Sequence, residues 1–314
     1  MPLFHRQMQK VSLVRPKDFS NEKELQALVE KNLQEIFNCT FVATEFYTGS
    51  VHGGRIDTLA LSEDGNPVII EYKVVESSQL ITQSLFYLDW IYDHRGDYEM
   101  AVQRALQGKK PPVDWSNVRV ICIAPEYKKY DLHAVNRMGA NIELWQYRYF
   151  EDDTFLLEEI SKKSGVCTSE GETTTNKNPK RMEAGKKAAM TRLTGEYTIE
   201  DHMKKIDGTL VTLVQELREY ILSLDESVEE VPNKNYIAFR ISQNFVCMEL
   251  HKSFFYVFLK ITADDLPSLP PQARDVRTIG HYGTGDLEYK ISSEEHIELA
   301  KEYIRMSFEN IGGM

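Results

Sequence analysis

Three charged residues in two neighbouring β-like segments are of types and at spacings that could do chemistry. Residues 54–73 read GRIDTLALSEDGNPVIIEYK, with Asp57 in one apolar run and Glu71 and Lys73 in the next. Side chains alternate across a strand, so Glu71 and Lys73 project from one face. If the two runs pair as an antiparallel hairpin, Asp57 comes close to both. Charged groups are rarely buried unless they are paired or bind metal, so the three residues form either a site or a structural ion-pair cluster.

Two carboxylates beside a lysine are the groups that metal-dependent cleavage of a phosphodiester needs. Asp57 and Glu71 would supply oxygen ligands to Mg²⁺ or Mn²⁺, which takes its other ligands from water and substrate phosphate. The metal lowers the pKa of a bound water and offsets the charge that develops on the reacting phosphate. Lys73 would orient the attacking water or stabilise the negative transition state.

The spacing of these residues resembles the PD-(D/E)XK nuclease signature. Thirteen residues separate Asp57 from the tripeptide EYK that ends at Lys73. Ile56 stands where the signature has proline, and Gly54 fits the small residue usual in RecB-like members of the family. The resemblance covers roughly residues 20–150. It implies a restriction-endonuclease-like mixed sheet flanked by helices, and a nuclease that requires Mg²⁺ or Mn²⁺.

The resemblance also implies roles for residues on the two flanking helices. Gln83 and Tyr87 stand at i and i+4, share a helix face and resemble the QxxxY element of RecB-like members, which implies contact with the active site or the nucleic-acid backbone. An acidic residue of the first helix commonly joins the metal site in this family. We assign Glu30 to that role, with Glu24 as the alternate. The alternatives are an ordinary helix face for Gln83 and Tyr87, and a solvent-facing position for Glu30.

The hydrophobic pattern predicts the elements that must position these residues. A helix is expected over residues 21–37, with Asp18 or Ser20 as its N-cap. Strands are expected over 41–47, 55–62 and 67–75, with the turn between the last two at residues 64–67. A helix over 77–94 and strands over 117–125 and 141–150 follow. We therefore predict an α/β (α+β) fold for the first domain.

Charge and composition divide the chain into three parts. The net charge is −11, with 17 Lys and Arg against 24 Asp and Glu in residues 1–160, 8 against 3 in residues 161–195, and 12 against 21 in residues 196–314. The middle part is rich in Ser, Thr, Gly, Lys and Asn without apolar periodicity, which is typical of a flexible linker. We predict domains at 1–160 and 196–314. The basic linker between them is either solvated or a tether that touches nucleic-acid backbone.

The second domain is predicted to be a smaller α+β domain. Helices are expected over 198–224, with Thr198 as N-cap, and over 292–310, around a strand meander in 235–261. Residues 277–291, RTIGHYGTGDLEYKI, resemble the uncharacterised DUF5655 type of domain. His281, Asp286 and Glu288 in this stretch could form a metal or acid-base site, but its glycines favour a turn with solvated charges.

The remaining features restrict the class of protein. Cys39, Cys122, Cys167 and Cys247 form no CxxC pair, so neither a zinc knuckle nor a disulfide framework is indicated. The absence of a membrane-length apolar run favours a cytoplasmic protein. We predict a Mg²⁺-dependent DNA endonuclease or exonuclease in repair, restriction or defence. RNA as the substrate, or a non-catalytic interaction module, are the alternatives. A homodimer and a protein partner for the second domain are further expectations.

Overall fold

The structure is a computed structural model that describes residues 2–76, 79–107, 113–138, 141–160 and 197–313. These residues form two compact units. The first holds the described residues up to 33 and from 39 to 160, and the second holds those beyond 196 together with Gln34–Asn38. The predicted linker at 161–195 lies outside the described residues.

The first unit is built around a six-stranded mixed sheet. The helices within residues 2–160 are α1 Glu22–Lys31, α2 Leu33–Phe37, α3 Gly49–His52, α4 Gln79–Asp93, α5 Arg95–Ala105 and α6 Lys129–Met138, and all of them except α2 lie in the first unit. Its strands are β1 Leu3–Gln7, β2 Lys10–Val14, β3 Thr40–Tyr47, β4 Arg55–Leu61, β5 Pro67–Tyr72, β6 Arg119–Ala124, β7 Ile142–Tyr149 and β8 Phe155–Glu159. The sheet order is β3-β4-β5-β6-β7-β8, and β1 and β2 form a separate hairpin. Strands β5, β6 and β7 are parallel, and the other neighbours are antiparallel. The predicted mixed α/β sheet is confirmed.

Strand β5 is the central element of the site because it is covered on both faces. All six of its residues are buried. Helix α1 contacts β4 and β5, and α4 contacts β5 and β6. The apolar side chains of α4, such as Leu80 and Ile91, pack in one core cluster with Ile69 and Cys122. A charged residue in this strand is therefore withdrawn from water.

The first helix differs from the prediction at both ends. Its N-cap is Asn21, whose side chain accepts a hydrogen bond from the Glu24 N–H at 3.0 Å, and neither Asp18 nor Ser20 has this role. The predicted helix over 21–37 is divided in two, since α1 stops at Lys31 and α2 forms the remainder from Leu33 to Phe37. Asn32 ends α1 because its side-chain amide donates to the Leu28 carbonyl at 2.7 Å, a local bond that competes with helix continuation.

The second unit is an α+β domain, as predicted. Its helices are α7 Ile199–Met203, α8 Gly208–Ser223 and α9 Ile297–Asn310. Its strands are β9 Glu229–Pro232, β10 Ile237–Arg240, β11 Asn244–Leu250, β12 Phe255–Leu259, β13 Ala273–Asp275 and β14 Leu287–Ile291. They form one antiparallel sheet in the order β13-β14-β12-β11-β10-β9. Thr198 is an N-cap, as predicted, but the helix expected over 198–224 is divided into α7 and α8.

The charged residues of the stretch 277–291 do not behave as one solvated turn. Glu288 is buried on β14, and its carboxylate accepts from Arg274 Nη2 at 2.7 Å. The ring of His281 stacks on Phe258 with 4.6 Å between centroids, whereas Asp286 is exposed. The prediction of solvated charges is therefore wrong for Glu288. Within the described ranges, no three His, Cys, Asp or Glu side chains form a group that could hold a metal, here or elsewhere.

Two further expectations concern membranes and thiols. No helix within the described residues is both long and apolar enough to cross a bilayer. Cys39, Cys122 and Cys247 are buried, and none of them forms a disulfide with another described residue. Cys167 lies outside the described residues.

Candidate functional site

The ends of β4 and β5 bring Asp57 and Glu71 together. The paired register of these strands ends at Thr58 and Ile70. Beyond that pair, backbone N–H groups of the two strands donate to carboxylates instead of to backbone carbonyls. The Tyr72 N–H donates to Asp57 Oδ2 at 3.1 Å, and the Asp57 N–H donates to Glu71 Oε1 at 3.1 Å. Each carboxylate thus satisfies a backbone donor of the opposite strand, and this reciprocal bonding fixes the two groups side by side.

Glu71 is the most unusual residue of the site. Its side chain is fully buried, at 0% exposure, and its Oε2 has no hydrogen-bond partner among the described residues. Burial, followed by the nearby charge of Asp57, holds the pKa of Glu71 well above its usual range. Buried acceptors without a partner are uncommon in folded proteins. A cation bound at Oε2 would remove both the unsatisfied oxygen and the repulsion from Asp57.

Asp57 has an environment that also disfavours its charge. Burial raises the pKa of Asp57 to about 6, although the hydrogen bond from the Tyr72 N–H and the charge of Lys73 oppose the shift. The negative charges of Glu22 and Glu45 raise it further. Two adjacent carboxylates that both resist ionisation have a strong electrostatic preference for a cation beside them.

Lys73 lies at the end of β5, where the chain leaves the sheet. Its N–H donates to the Ile123 carbonyl at 2.9 Å, and its Nζ donates to Glu22 Oε2 at 2.9 Å. Burial alone lowers the pKa of Lys73, but the bond to Glu22 and the charges of Asp57 and Glu71 outweigh it and raise the pKa. The Lys73 ammonium therefore offsets negative charge on Asp57 and Glu71, and the Glu22 carboxylate holds it in place.

Two acidic residues near the site were missed by sequence reasoning. Glu22 is the first residue of α1, and its position in an acidic first turn was the available signal. Glu45 of β3 has a left-handed backbone with φ 49° and pairs with Arg55 at 3.1 Å. No sequence pattern predicts this conformation for a glutamate inside a strand.

Glu30 is not brought to the two carboxylates. Its Oε1 accepts from Thr58 Oγ1 at 2.6 Å and from Gln26 Nε2 at 3.0 Å. Thr58 follows Asp57 in β4, so its side chain lies on the opposite face of the sheet. Glu30 therefore bonds to the face that does not carry Asp57 and Glu71. The alternate, Glu24, accepts from the Ser20 N–H at 2.7 Å at the start of α1. The structure thus does not support Glu30 as a ligand of the same metal.

Gln83 and Tyr87 meet on one face of α4 and anchor the strand that carries Asp57. The Tyr87 hydroxyl accepts from Gln83 Nε2 at 3.1 Å and from the Arg55 N–H at 3.1 Å. Tyr87 is buried, at 4% exposure. The bond to Arg55 lies two residues before Asp57, so Tyr87 positions the start of β4. Neither side chain has a contact with the two carboxylates among the hydrogen bonds of the described residues.

Gly54 is the residue that lets Tyr87 approach the backbone. A Cβ at Gly54 would lie 2.7 Å from Tyr87 Cε1. We expect Gly54→Ala to lower the free energy of unfolding by about 1–3 kcal/mol, because a buried ring must shift. Gly96→Ala is the matched control: its Cβ would meet nothing within 4 Å, and alanine in helix α5 should stabilise the protein by about 0.5–1 kcal/mol. Urea unfolding of both variants checks this, and equal destabilisation would contradict it.

The donor set fits a hard divalent cation. Mg²⁺ is usually bound by one or two carboxylates with water and substrate phosphate completing its shell. Asp57 and Glu71 are two such carboxylates, and the orphaned Glu71 Oε2 is an oxygen free to bind. Among the described residues, no third acidic side chain joins the pair in a metal-holding group. Two carboxylates therefore suit a metal that keeps several water ligands. They are too few to enclose a metal in protein ligands alone.

Fold and site together define this protein as a mixed α/β unit with a buried carboxylate pair, followed by an α+β domain. Residues 199–311 match the family described as "Domain of unknown function (DUF5655)". The second unit is thus a DUF5655 domain, as its sequence resemblance predicted. An uncharacterized protein of Haemophilus influenzae is 27% identical over 99% of this chain and 100% of its own length.

Solved structures with a weak likeness to part of this chain include two of EndoMS and one of a repair endonuclease. EndoMS in its apo form gives a TM-score of 0.29 with 21% identity, over 43% of this chain and 50% of that one. An EndoMS complex with dsDNA gives 0.25 with 20% identity, over 43% and 51%. A repair endonuclease from Pyrococcus abyssi gives 0.23 with 17% identity, over 41% and 49%. The chain matches about half the length of each of these proteins. At such scores the proposed function rests on the site geometry instead.

Proposed function

We propose that the first unit is a nuclease that hydrolyses phosphodiester bonds in DNA with Mg²⁺ or Mn²⁺. The observation that carries this proposal is Glu71, a fully buried carboxylate with one oxygen unpartnered, fixed beside Asp57. In a purely structural role, the buried Oε2 would carry a desolvation cost that no bonding partner offsets. Glu71 lies at the end of β5, fourteen residues after Asp57 and two before Lys73. These intervals resemble those of the PD-(D/E)XK signature.

Each residue has a separate task in this proposal. Asp57 and Glu71 would hold the metal, which when bound activates water and offsets charge on the phosphate. Lys73 supplies a fixed positive charge beside the carboxylates, where it can stabilise the anionic transition state. Glu22 holds the Lys73 ammonium at 2.9 Å, and so limits its freedom. Tyr87 and Gln83 keep β4 in place and are positioning residues.

The test compares two carboxylate variants of the full chain. Asp57→Asn should abolish Mn²⁺ binding in calorimetry and reduce cleavage of duplex and single-stranded DNA by at least ~10²-fold. Glu30→Gln is the matched control, since Glu30 bonds Thr58 on the other face of the sheet, and it should keep both. The proposal stands if only the first variant loses binding and cleavage.

The same experiment identifies the competing functions. Wild-type protein that is folded, binds no metal and cleaves no DNA would establish the non-catalytic interaction module. Cleavage of RNA but not DNA, lost in Asp57→Asn, would retain the site and change the substrate. The metal chemistry itself does not read the 2′-hydroxyl, so the substrate comparison is needed beside the binding measurement.

A further inference from the structure

The hairpin of β1 and β2 exposes apolar side chains without a partner element. Phe4, Met8, Val11 and Leu13 have exposed fractions of 53%, 92%, 66% and 57%. The cross-strand register pairs Phe4 with Leu13, so the two form an apolar patch on one face. A two-stranded hairpin is marginal in stability by itself. Exposed apolar groups on such an element commonly mark a binding surface.

The hairpin and the segment after it are also the basic part of the first unit. Residues 1–17 contain Arg6, Lys10, Arg15 and Lys17 and no Asp or Glu, whereas residues 18–160 hold 13 Lys and Arg against 24 Asp and Glu. All four cations are exposed. Lys17 lies 3.6 Å from Asp153. Among the described residues, no salt bridge is found for the other three.

The base of the hairpin lies at the same edge of the sheet as the candidate site. The Lys17 N–H donates to the Tyr149 carbonyl at 2.8 Å, and the Glu151 N–H donates to the Arg15 carbonyl at 2.9 Å. Tyr149 is the last residue of β7, and Glu71 and Lys73 lie at the end of β5. Because β5, β6 and β7 are parallel, their carboxyl ends share one edge. The hairpin therefore starts from the edge that carries the carboxylates.

We propose that this hairpin is an arm that grips duplex DNA beside the cleavage site. The inference rests on the proposed function and adds to it that the substrate is double-stranded. The major groove of B-DNA admits a two-stranded ribbon, and phosphates on either side would meet the lysines and arginines. The apolar patch of Phe4 and Leu13 would face base edges, such as thymine methyl groups. A second copy of the chain fits less well, because two arms of four positive charges would repel each other.

The test measures binding of duplex DNA in EDTA, where cleavage is absent, as a function of salt. Lys10→Glu with Arg15→Glu should weaken binding by about tenfold or more and lower the slope of log affinity against log salt by about 2. The control, Lys31→Glu with Arg104→Glu, changes the net charge equally at exposed positions in the last turns of α1 and α5. It should change affinity less than threefold. Thermal unfolding verifies that both variants are folded.

The outcomes separate this inference from the proposed function. Equal loss of binding in both double variants, or no loss in the arm variant, would overturn the arm. Wild type that does not bind duplex DNA, or that binds duplex RNA equally well, would overturn it too. A second copy as the true partner would appear as a dimer that the arm variant dissociates in sedimentation. If the arm variant loses binding but wild type never cleaves, the arm stands and the nuclease proposal fails.

Discussion

Glu71→Gln is expected to abolish cleavage and, at the same time, to stabilise the metal-free protein. Cleavage should fall by about 10³-fold or more, because a ligand of the activating cation is lost. Toward pH 8, stability in EDTA should rise by about 1–2 kcal/mol, since the amide has no ionised form whose burial is disfavoured and its oxygen can still accept from the Asp57 N–H. Most substitutions at buried positions destabilise. A gain in stability with a loss of activity is therefore a signature of a functional carboxylate.

The pH dependence of this stability difference has a defined sign. Burial raises the folded-state pKa of Glu71 above its unfolded value. The protonated group stabilises the folded state below the unfolded pKa, near 4.3. This contribution is lost as the pH rises through the folded pKa. The Gln variant should therefore resemble wild type near pH 4 and exceed it increasingly toward pH 8.

Thermal unfolding with and without Mn²⁺ provides the measurement and its control. Wild type should gain stability with Mn²⁺, by about 2.7 kcal/mol when the metal is at 100 times its dissociation constant. Glu71→Gln should gain nothing. Glu30→Gln should respond to Mn²⁺ as wild type does. A Glu71→Gln protein that is less stable than wild type in EDTA, and that still gains from Mn²⁺, would contradict a metal role for Glu71.

The carboxylate pair was predictable because it depends on the two simplest regularities of a hairpin. The turn at residues 64–67 contains Gly65, which adopts φ 81°, and it fixes the register of β4 and β5. Alternation along the strand then places Asp57 and Glu71 on one face. These local rules are readable in one sequence. They do not predict that helices cover both faces of β5. That burial is the main cause of the raised pKa values of Asp57 and Glu71.

The acidic residue of the first helix was not predictable in the same way. Which side of α1 faces the sheet depends on how the helix packs, and the helix carries acidic residues both in its first turn, at Glu22 and Glu24, and near its end, at Glu30. In the structure, the Glu22 carboxylate accepts from Lys73 and the Glu30 carboxylate accepts from Thr58. The packing of α1 against β4 and β5 decides which of these glutamates lies near Lys73. A single sequence does not specify that packing.

The role of Tyr87 shows a different limit. The i, i+4 spacing with Gln83 correctly indicates a shared helix face, and the two side chains do bond each other. The spacing does not show that the hydroxyl accepts from the Arg55 N–H, because that contact depends on the distance between α4 and β4. The Gly54 position makes this distance possible. The motif implies contact with the active site or the nucleic-acid backbone, and the structure adds that Tyr87 bonds the strand that carries Asp57.

Lys73→Met is expected to separate metal binding from cleavage. Methionine keeps most of the apolar volume of the side chain and removes the charge beside Asp57 and Glu71. Cleavage should fall by about 10²–10³-fold, the usual cost of losing one preorganised group that stabilises transition-state charge. Mn²⁺ should bind at least ~3-fold more tightly at pH 8, because a positive charge no longer repels the cation.

The opposite signs of the two effects make this prediction selective. If Lys73 only maintained the fold, its loss would weaken metal binding and cleavage together, and the thermal stability would fall with them. If Lys73 were itself needed to hold the ionised carboxylates, metal affinity would fall while the fold persisted. Glu22→Gln is the matched control, since it removes the partner of Lys73 but leaves the ammonium in place. It should keep most of the cleavage activity, and calorimetry with Mn²⁺ beside a cleavage assay measures both quantities in all three proteins.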